Sequence, residues 1–251
     1  MQVSKHTLRI FSAQFLLLIL LSQALNADTA SERITPSETA APPSPPIGLA
    51  QLAAEADVVA LVQMRDGEYV YRREFPVSGS AHLKVLIPYK ADQPLEMIEV
   101  YETGLHPNEC YFPNPSMLEE GRRYLVFLRR DPDDEQRYRG LPAGCALDVL
   151  VTSDSGYVLR MPVTGIKLGD DLQQYAIPVD FADPYAHETE ESLGPAQREA
   201  WLSGGWLKRR YTEQSQEFVY TQGVSLDTVR NLMGPEGVSL DRHQKRPPPQ
   251  P

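Results

Sequence analysis

Short β-forming runs follow one another through the middle of this 251-residue chain, and almost no helical periodicity separates them. Val58-Val59-Ala60-Leu61-Val62 is a β-branched apolar run, and Tyr124-Leu125-Val126-Phe127-Leu128 is the strongest strand signal in the sequence. Between them, Ala81, Leu83, Val85 and Ile87 alternate with His82, Lys84 and Leu86, and Met97 to Tyr101 reads as another strand. Ala146 to Val151 and Tyr157-Val158-Leu159 complete the series, joined by the turn Ser153-Asp154-Ser155-Gly156. Successive strands without alternating helices exclude a β-α-β design. They predict a mainly β fold: a small closed barrel of the OB type, with short helices and a C-terminal helical extension.

Local signals place the turns and helices. Leu49, Leu52, Ala53 and Ala56 recur at helical spacing just before the first strand. Asp66-Gly67 is a hairpin signal, with Tyr69-Val70-Tyr71 as the returning strand. Residues 116–120 allow one helical turn before Gly121, which permits a tight turn into the next strand. The acidic stretch Asp131-Pro132-Asp133-Asp134-Glu135 reads as a loop, the solvated tip of a hairpin; it lacks the glycine and distal glutamate of a calcium-binding EF-hand. Further on, Pro195 suits the start of a helix to Leu202, stopped by Gly204-Gly205. A second helix carries Leu226, Val229 and Met233 on one face, with Ser225 as cap and Gly234-Pro235 as stop.

The flanks are of another character. Lys5 and Arg9 precede the apolar run Phe15 to Leu21, and small residues follow, ending at Ala24 or Ala27, which is the pattern of a cleaved secretory signal. Its removal takes two basic and no acidic residues, moving the formal net charge from −10 to −12. An acidic exported chain argues against nucleic acid as a partner, since polyanion binding needs a basic patch. Arg72-Arg73, Arg122-Arg123, Arg129-Arg130 and Lys208-Arg209-Arg210 have acidic neighbours and read as solvated element ends. The division expected is a signal at 1–27, a proline-rich linker at 28–47, the barrel at 48–166, an extension with two short helices at 167–235 and a tail at 236–251.

Cys110, Leu118, Gly121, Tyr124-Leu125-Val126-Phe127 and Cys145 together resemble the cysteine, L-x-x-G-x-x-Y-L, cysteine pattern of netrin-like domains. That superfamily includes the OB barrels of tissue inhibitors of metalloproteinases, and LAAEADVVALVQ with AHLKVL looks like the opening of its bacterial exported members. The resemblance spans roughly residues 48 to 152 and implies a scaffold for protein or ligand binding. The metalloproteinase inhibitors use an amino-terminal Cys-x-Cys, which this chain lacks, so their mechanism is not carried over. Export and an even cysteine count favour a Cys110–Cys145 disulfide over two free thiols.

Catalytic signatures are missing: there is no G-x-S-x-G, no H-E-x-x-H, no phosphate-binding glycine loop and no dinucleotide fingerprint. His187-Glu188 lacks a second histidine, and neither His82 nor His106, which lies near Glu109, has three or four converging ligands in view. No catalytic residue, metal or cofactor is therefore expected. Trp201 and Trp206 are the candidate binding residues, with packing on the barrel as the plainer role. The pentapeptide at 223–227 recurs at 237–241 and has no assigned role.

The expected function is an exported, non-catalytic binding or inhibitory module, periplasmic or extracellular. Its partner is a protein or small ligand, and it keeps no membrane anchor after signal cleavage. The competing expectations are a hydrolase using His82 or His106 with nearby carboxylates, and an envelope structural protein assembling through its C-terminal helices.

Overall fold

A computed structural model describes residues 46–104, 110–116, 120–169, 172–211 and 216–235. The expected signal segment, most of the expected linker, the expected tail, His106, Glu109 and residues 117–119 of the expected helical turn lie outside the described residues.

Helix α1 (Leu49–Glu55) runs directly into β1 (Val58–Arg72), followed by β2 (Phe75–Lys90), β3 (Met97–Thr103), β4 (Arg123–Asp131) and β5 (Asp134–Gly140). These strands pair in the order β1-β2-β3-β5-β4, and β4 pairs back to β1, so the sheet closes into a five-stranded barrel of the OB type. β3 and β5 are parallel, meeting at Val100 and Tyr138, while the other barrel pairs are antiparallel.

The far edge of β4 is shared. Leu128–Asp131 pairs with β5, whereas Arg123–Val126 pairs with β6 (Ala146–Val151). Through β6 the sheet leaves the barrel and continues to β7 (Tyr157–Arg160), β12 (Gln222–Ser225) and β8 (Ile177–Pro178). Both faces of β4 and of the first half of β1, residues 58–64, are consequently covered. Val58, Ala60, Val62, Tyr124, Val126 and Leu128 fill the barrel with Leu83, Ile98 and Val100. Val59, Leu61, Leu125 and Phe127 point outward beneath α1 and α3 (Leu226–Met233). Double-sided burial is why both strands read as unbroken apolar runs rather than alternating ones. A third cluster lies under α2 (Pro195–Ser203) and a small sheet of β9 (His187–Glu188), β10 (Leu207–Tyr211) and β11 (Gln216–Tyr220), built on Leu150, Leu193, Leu207, Phe218 and Tyr220. Between the two expected helices, therefore, run three strands that local sequence patterns do not announce.

The caps are where the sequence puts them. Pro195 opens α2, the Ser225 hydroxyl accepts the Thr228 N–H at 3.2 Å, and Gly234 ends α3 with φ 72°.

Two expectations need correction. Asp66-Gly67 is not a hairpin turn: β1 runs through it with a register shift between Met64 and Asp66, and the chain reverses at Arg73-Glu74, with Arg73 at φ 59°. Asn114 donates to the Gly67 carbonyl at 3.0 Å and a Cβ on Gly67 would lie 2.8 Å from the Asn114 amide, so this glycine admits a side chain rather than a turn. Gly121 likewise serves close approach, since its Cβ would come within 1.8 Å of the Met64 carbonyl oxygen. The acidic stretch is the solvated tip of the β4–β5 hairpin, as expected, with residues 132–135 exposed; only Asp131, 2% exposed, turns inward.

Candidate functional site

A cleft of about 590 Å³ lies where the end of β2, the β6–β7 turn, β8 and the start of α3 meet. Ile87, Tyr89, Tyr157, Ile177 and Leu226 give its lining an apolar and aromatic part, and Asp154, Asp180 and Asp227 line it with carboxylates. Among the described residues no lysine, arginine or histidine lines it.

Each aspartate is placed by backbone geometry. In the β6–β7 turn, Thr152 Oγ1 accepts the Gly156 N–H at 2.8 Å and donates to the Asp154 carboxylate, while Ser155 takes φ 66°. The Thr152 hydroxyl, aided by backbone N–H groups, holds the Asp154 carboxyl below its ordinary range. Ser153 N–H donates to the Asp180 carbonyl at 2.9 Å and Val179 N–H to Thr221 at 2.9 Å, which straps the β8 segment along the cleft. Asp227 sits in the first turn of α3, where a carboxylate complements the helix dipole. Among the described residues no three His, Cys, Asp or Glu side chains are grouped to hold a metal ion. The cleft can thus attract a positive charge electrostatically without chelating one, beside a surface that favours hydrocarbon.

The residues singled out from the sequence fall in different places. Cys110 and Cys145 form a disulfide with Cα atoms 5.9 Å apart, buried at the barrel wall. Trp201 is partly buried against the third cluster, its ring centroid 6.1 Å from that of Tyr220, and Trp206 packs partly buried against the layer outside the barrel. His82 Nδ1 lies 3.0 Å from Asp66, and the nearby Ser80 hydroxyl donates to Glu99 at 2.6 Å. His187 Nδ1 is 3.4 Å from Glu217. In the basic clusters, Arg122 stacks 4.9 Å over Tyr185, Arg123 pairs with Glu120 and Asp183, Arg130 with Asp92, and Arg209 with Glu199.

Two charged networks had no sequence signal. Asp131 accepts the Asp133 N–H at 3.1 Å and Arg137 Nε at 2.5 Å, and lies 2.9 Å from Arg139 Nε; Arg137 also stacks 4.0 Å over Tyr101 of β3. The turn and its arginines tie β5 to both its neighbours. Arg160, 7% exposed, donates to Asp148 at 2.5 Å, to Thr164 at 2.6 Å and to the Tyr220 hydroxyl, which in turn donates to Glu188 at 2.9 Å. Burial raises the Tyr220 pKa, and the phenol stays neutral as a relay between arginine and glutamate. This network pins β7 to the small sheet of β9 to β11.

The fold and site define an OB-type barrel whose sheet extends into a second, helix-covered layer. Comparison with protein families, with curated proteins and with solved structures finds no match to the chain.

Proposed function

We propose that this chain is an exported, non-catalytic binding module of netrin-like type, and that its ligand presents a cationic group on an apolar body to the cleft between β2, the β6–β7 turn, β8 and α3. The observation that carries the reading is a lining that joins three aspartates, and no cation among the described residues, to apolar and aromatic side chains. At partly solvated separations of several ångströms each carboxylate contributes on the order of 0.5–1 kcal/mol of attraction to a single positive charge. Burial of an alkyl chain on the apolar part of the lining adds about 0.8 kcal/mol per methylene fully removed from water. The disulfide suits an oxidising compartment, and no described helix is long and apolar enough to cross a membrane.

Octylammonium and octanoate separate the terms, since their charges are opposite and their alkyl tails differ by a single methylene, which accounts for about fourfold at most. Calorimetry is expected to show octylammonium binding with a Kd of about 0.1–1 mM, and octanoate at least roughly tenfold weaker. Asp180→Asn with Asp227→Asn should weaken octylammonium about fivefold to tenfold. Equal affinity for the two tails, or no binding of either, overturns the proposal. Turnover of an ester or peptide panel that His82→Ala abolishes overturns its non-catalytic part.

A further inference from the structure

Of the seven large apolar side chains exposed among the described residues, three lie within six positions of one another: Val70 at 61%, Tyr71 at 54% and Phe75 at 61%. They stand at the end of the β1–β2 hairpin. β1 pairs with β4 only as far as Gln63, and β2 pairs with β3 only from Ser78 onward, so residues 70–77 form a ribbon two strands wide beyond the barrel rim. The ribbon is firmly seated at its base. Tyr69 accepts the Phe112 N–H at 3.0 Å, and the Tyr71 ring stands edge-on to Tyr69 at 6.4 Å. Arg72, directly opposite Phe75, and Arg73 at the turn complete the tip. Among the described residues neither arginine forms an ion pair, unlike Arg123, Arg130 and Arg209.

We infer that this tip is a wedge that seats in the headgroup region of an anionic lipid bilayer. Aromatic rings with a polar edge are favoured at that depth, and unpaired arginines beside them meet lipid phosphates. A protein partner fits less well. A stable protein interface needs about 800 Å² from each side, and a convex tip of eight residues cannot offer it, whereas a wedge entering lipid needs no complementary surface. Glu68 and Glu74 are the acidic side chains of the same stretch, and they keep the attraction weak and dependent on salt. The tip is remote in the fold from the lining of the aspartate cleft, so this inference stands or falls separately from the binding proposal.

The test compares full-length chains that differ only at the tip, because the apolar run at 15–21 is common to all of them. Co-sedimentation uses vesicles of phosphatidylcholine alone or with 30% phosphatidylglycerol (a composition of about that value suffices) at low and high salt. The parental chain is expected to bind the anionic vesicles more tightly than the neutral ones. Tyr71→Ser with Phe75→Ser should lower that binding roughly tenfold, and Arg72→Glu with Arg73→Glu about tenfold or more, with loss of most of the salt dependence. Thermal melts confirm that the exposed substitutions leave the fold intact. As a direct readout, the fluorescence of Phe75→Trp should be quenched by lipids brominated on their acyl chains. Unchanged binding in both double variants, or an unquenched Trp at position 75, overturns the inference. So does a tip that crosslinks to a protein while ignoring vesicles.

Discussion

Replacing Asp131 by asparagine should loosen the barrel at its closing strand. The carboxylate is buried, accepts one backbone and one guanidinium hydrogen bond and pairs at 2.9 Å with the Arg139 guanidinium, so it holds β5 against β4 and, through Arg137 on Tyr101, against β3. Asparagine keeps one acceptor oxygen and turns the other into a donor that faces a guanidinium. Loss of one charge-assisted hydrogen bond costs about 1.5–3 kcal/mol. Breaking a fully buried pair costs about 3–5 kcal/mol, but Arg137 and Arg139 remain 24% and 21% exposed and water takes up part of the loss. The net expectation is a destabilisation of about 2 kcal/mol at pH 7, or a fall in Tm of roughly 4–8 °C for a folded part of this size.

The pH dependence gives a second handle on the same residue. Burial alone would raise the Asp131 carboxyl, but the Asp133 N–H, Arg137 and Arg139 outweigh it and hold it below its ordinary value. A folded-state pKa below the unfolded value of about 3.9 contributes stability above that pH and loses it as pH falls through the folded value. The parental chain should therefore lose stability more steeply than the Asn variant below about pH 4, and the two curves should approach each other in acid. Urea unfolding followed by Trp201 and Trp206 fluorescence measures both effects. A loss under about 0.5 kcal/mol at neutral pH, or a gap that stays constant into acid, refutes the assigned role.

Gly121→Ala should cost about 3 kcal/mol or more, because its Cβ would collide with a backbone carbonyl at Met64 that no rotamer change can move; a melt within a degree of the parental one would contradict this. Replacing both Cys110 and Cys145 by alanine opens a link across 35 positions and should lower stability by about 4 kcal/mol, read as a fall in urea midpoint that reduction of the parental chain reproduces. Burial pushes the Tyr69 hydroxyl up to about 12, against the help it receives from the Phe112 N–H. The folded state thus favours the neutral phenol, so stability falls as pH rises above about 10, and Tyr69→Phe should flatten that alkaline limb.

Elements whose burial is written in their own residues were legible. Val58–Val62 and Tyr124–Leu128 are apolar because both faces are covered, and Ser225 and Gly234 carry their cap chemistry locally. β5 was not legible. Asp134–Gly140 buries only Tyr138 on the barrel side and is secured by charges reaching back to Asp131, which no window of periodicity detects. Asp66-Gly67 misled for a related reason: a strong dipeptide preference yielded to the ladder on β2 and to Asn114, a residue far along the chain. The cleft gave still less warning. It gathers Tyr89, Asp154, Asp180 and Asp227 from four separate elements, each ordinary in its own stretch of sequence, while the two tryptophans that look most like binding residues are occupied in packing.

The claim at the centre of this account is that a cation on an apolar body docks in the aspartate-lined cleft. The direct measurement is a titration of the ¹⁵N-labelled protein with octylammonium, followed by amide chemical shifts. The expected result is saturable movement of the Asp154, Gly156, Asp180 and Asp227 amides, with octanoate leaving them unmoved. Saturable shifts that bypass these residues, or equal responses to the two ligands, would contradict it.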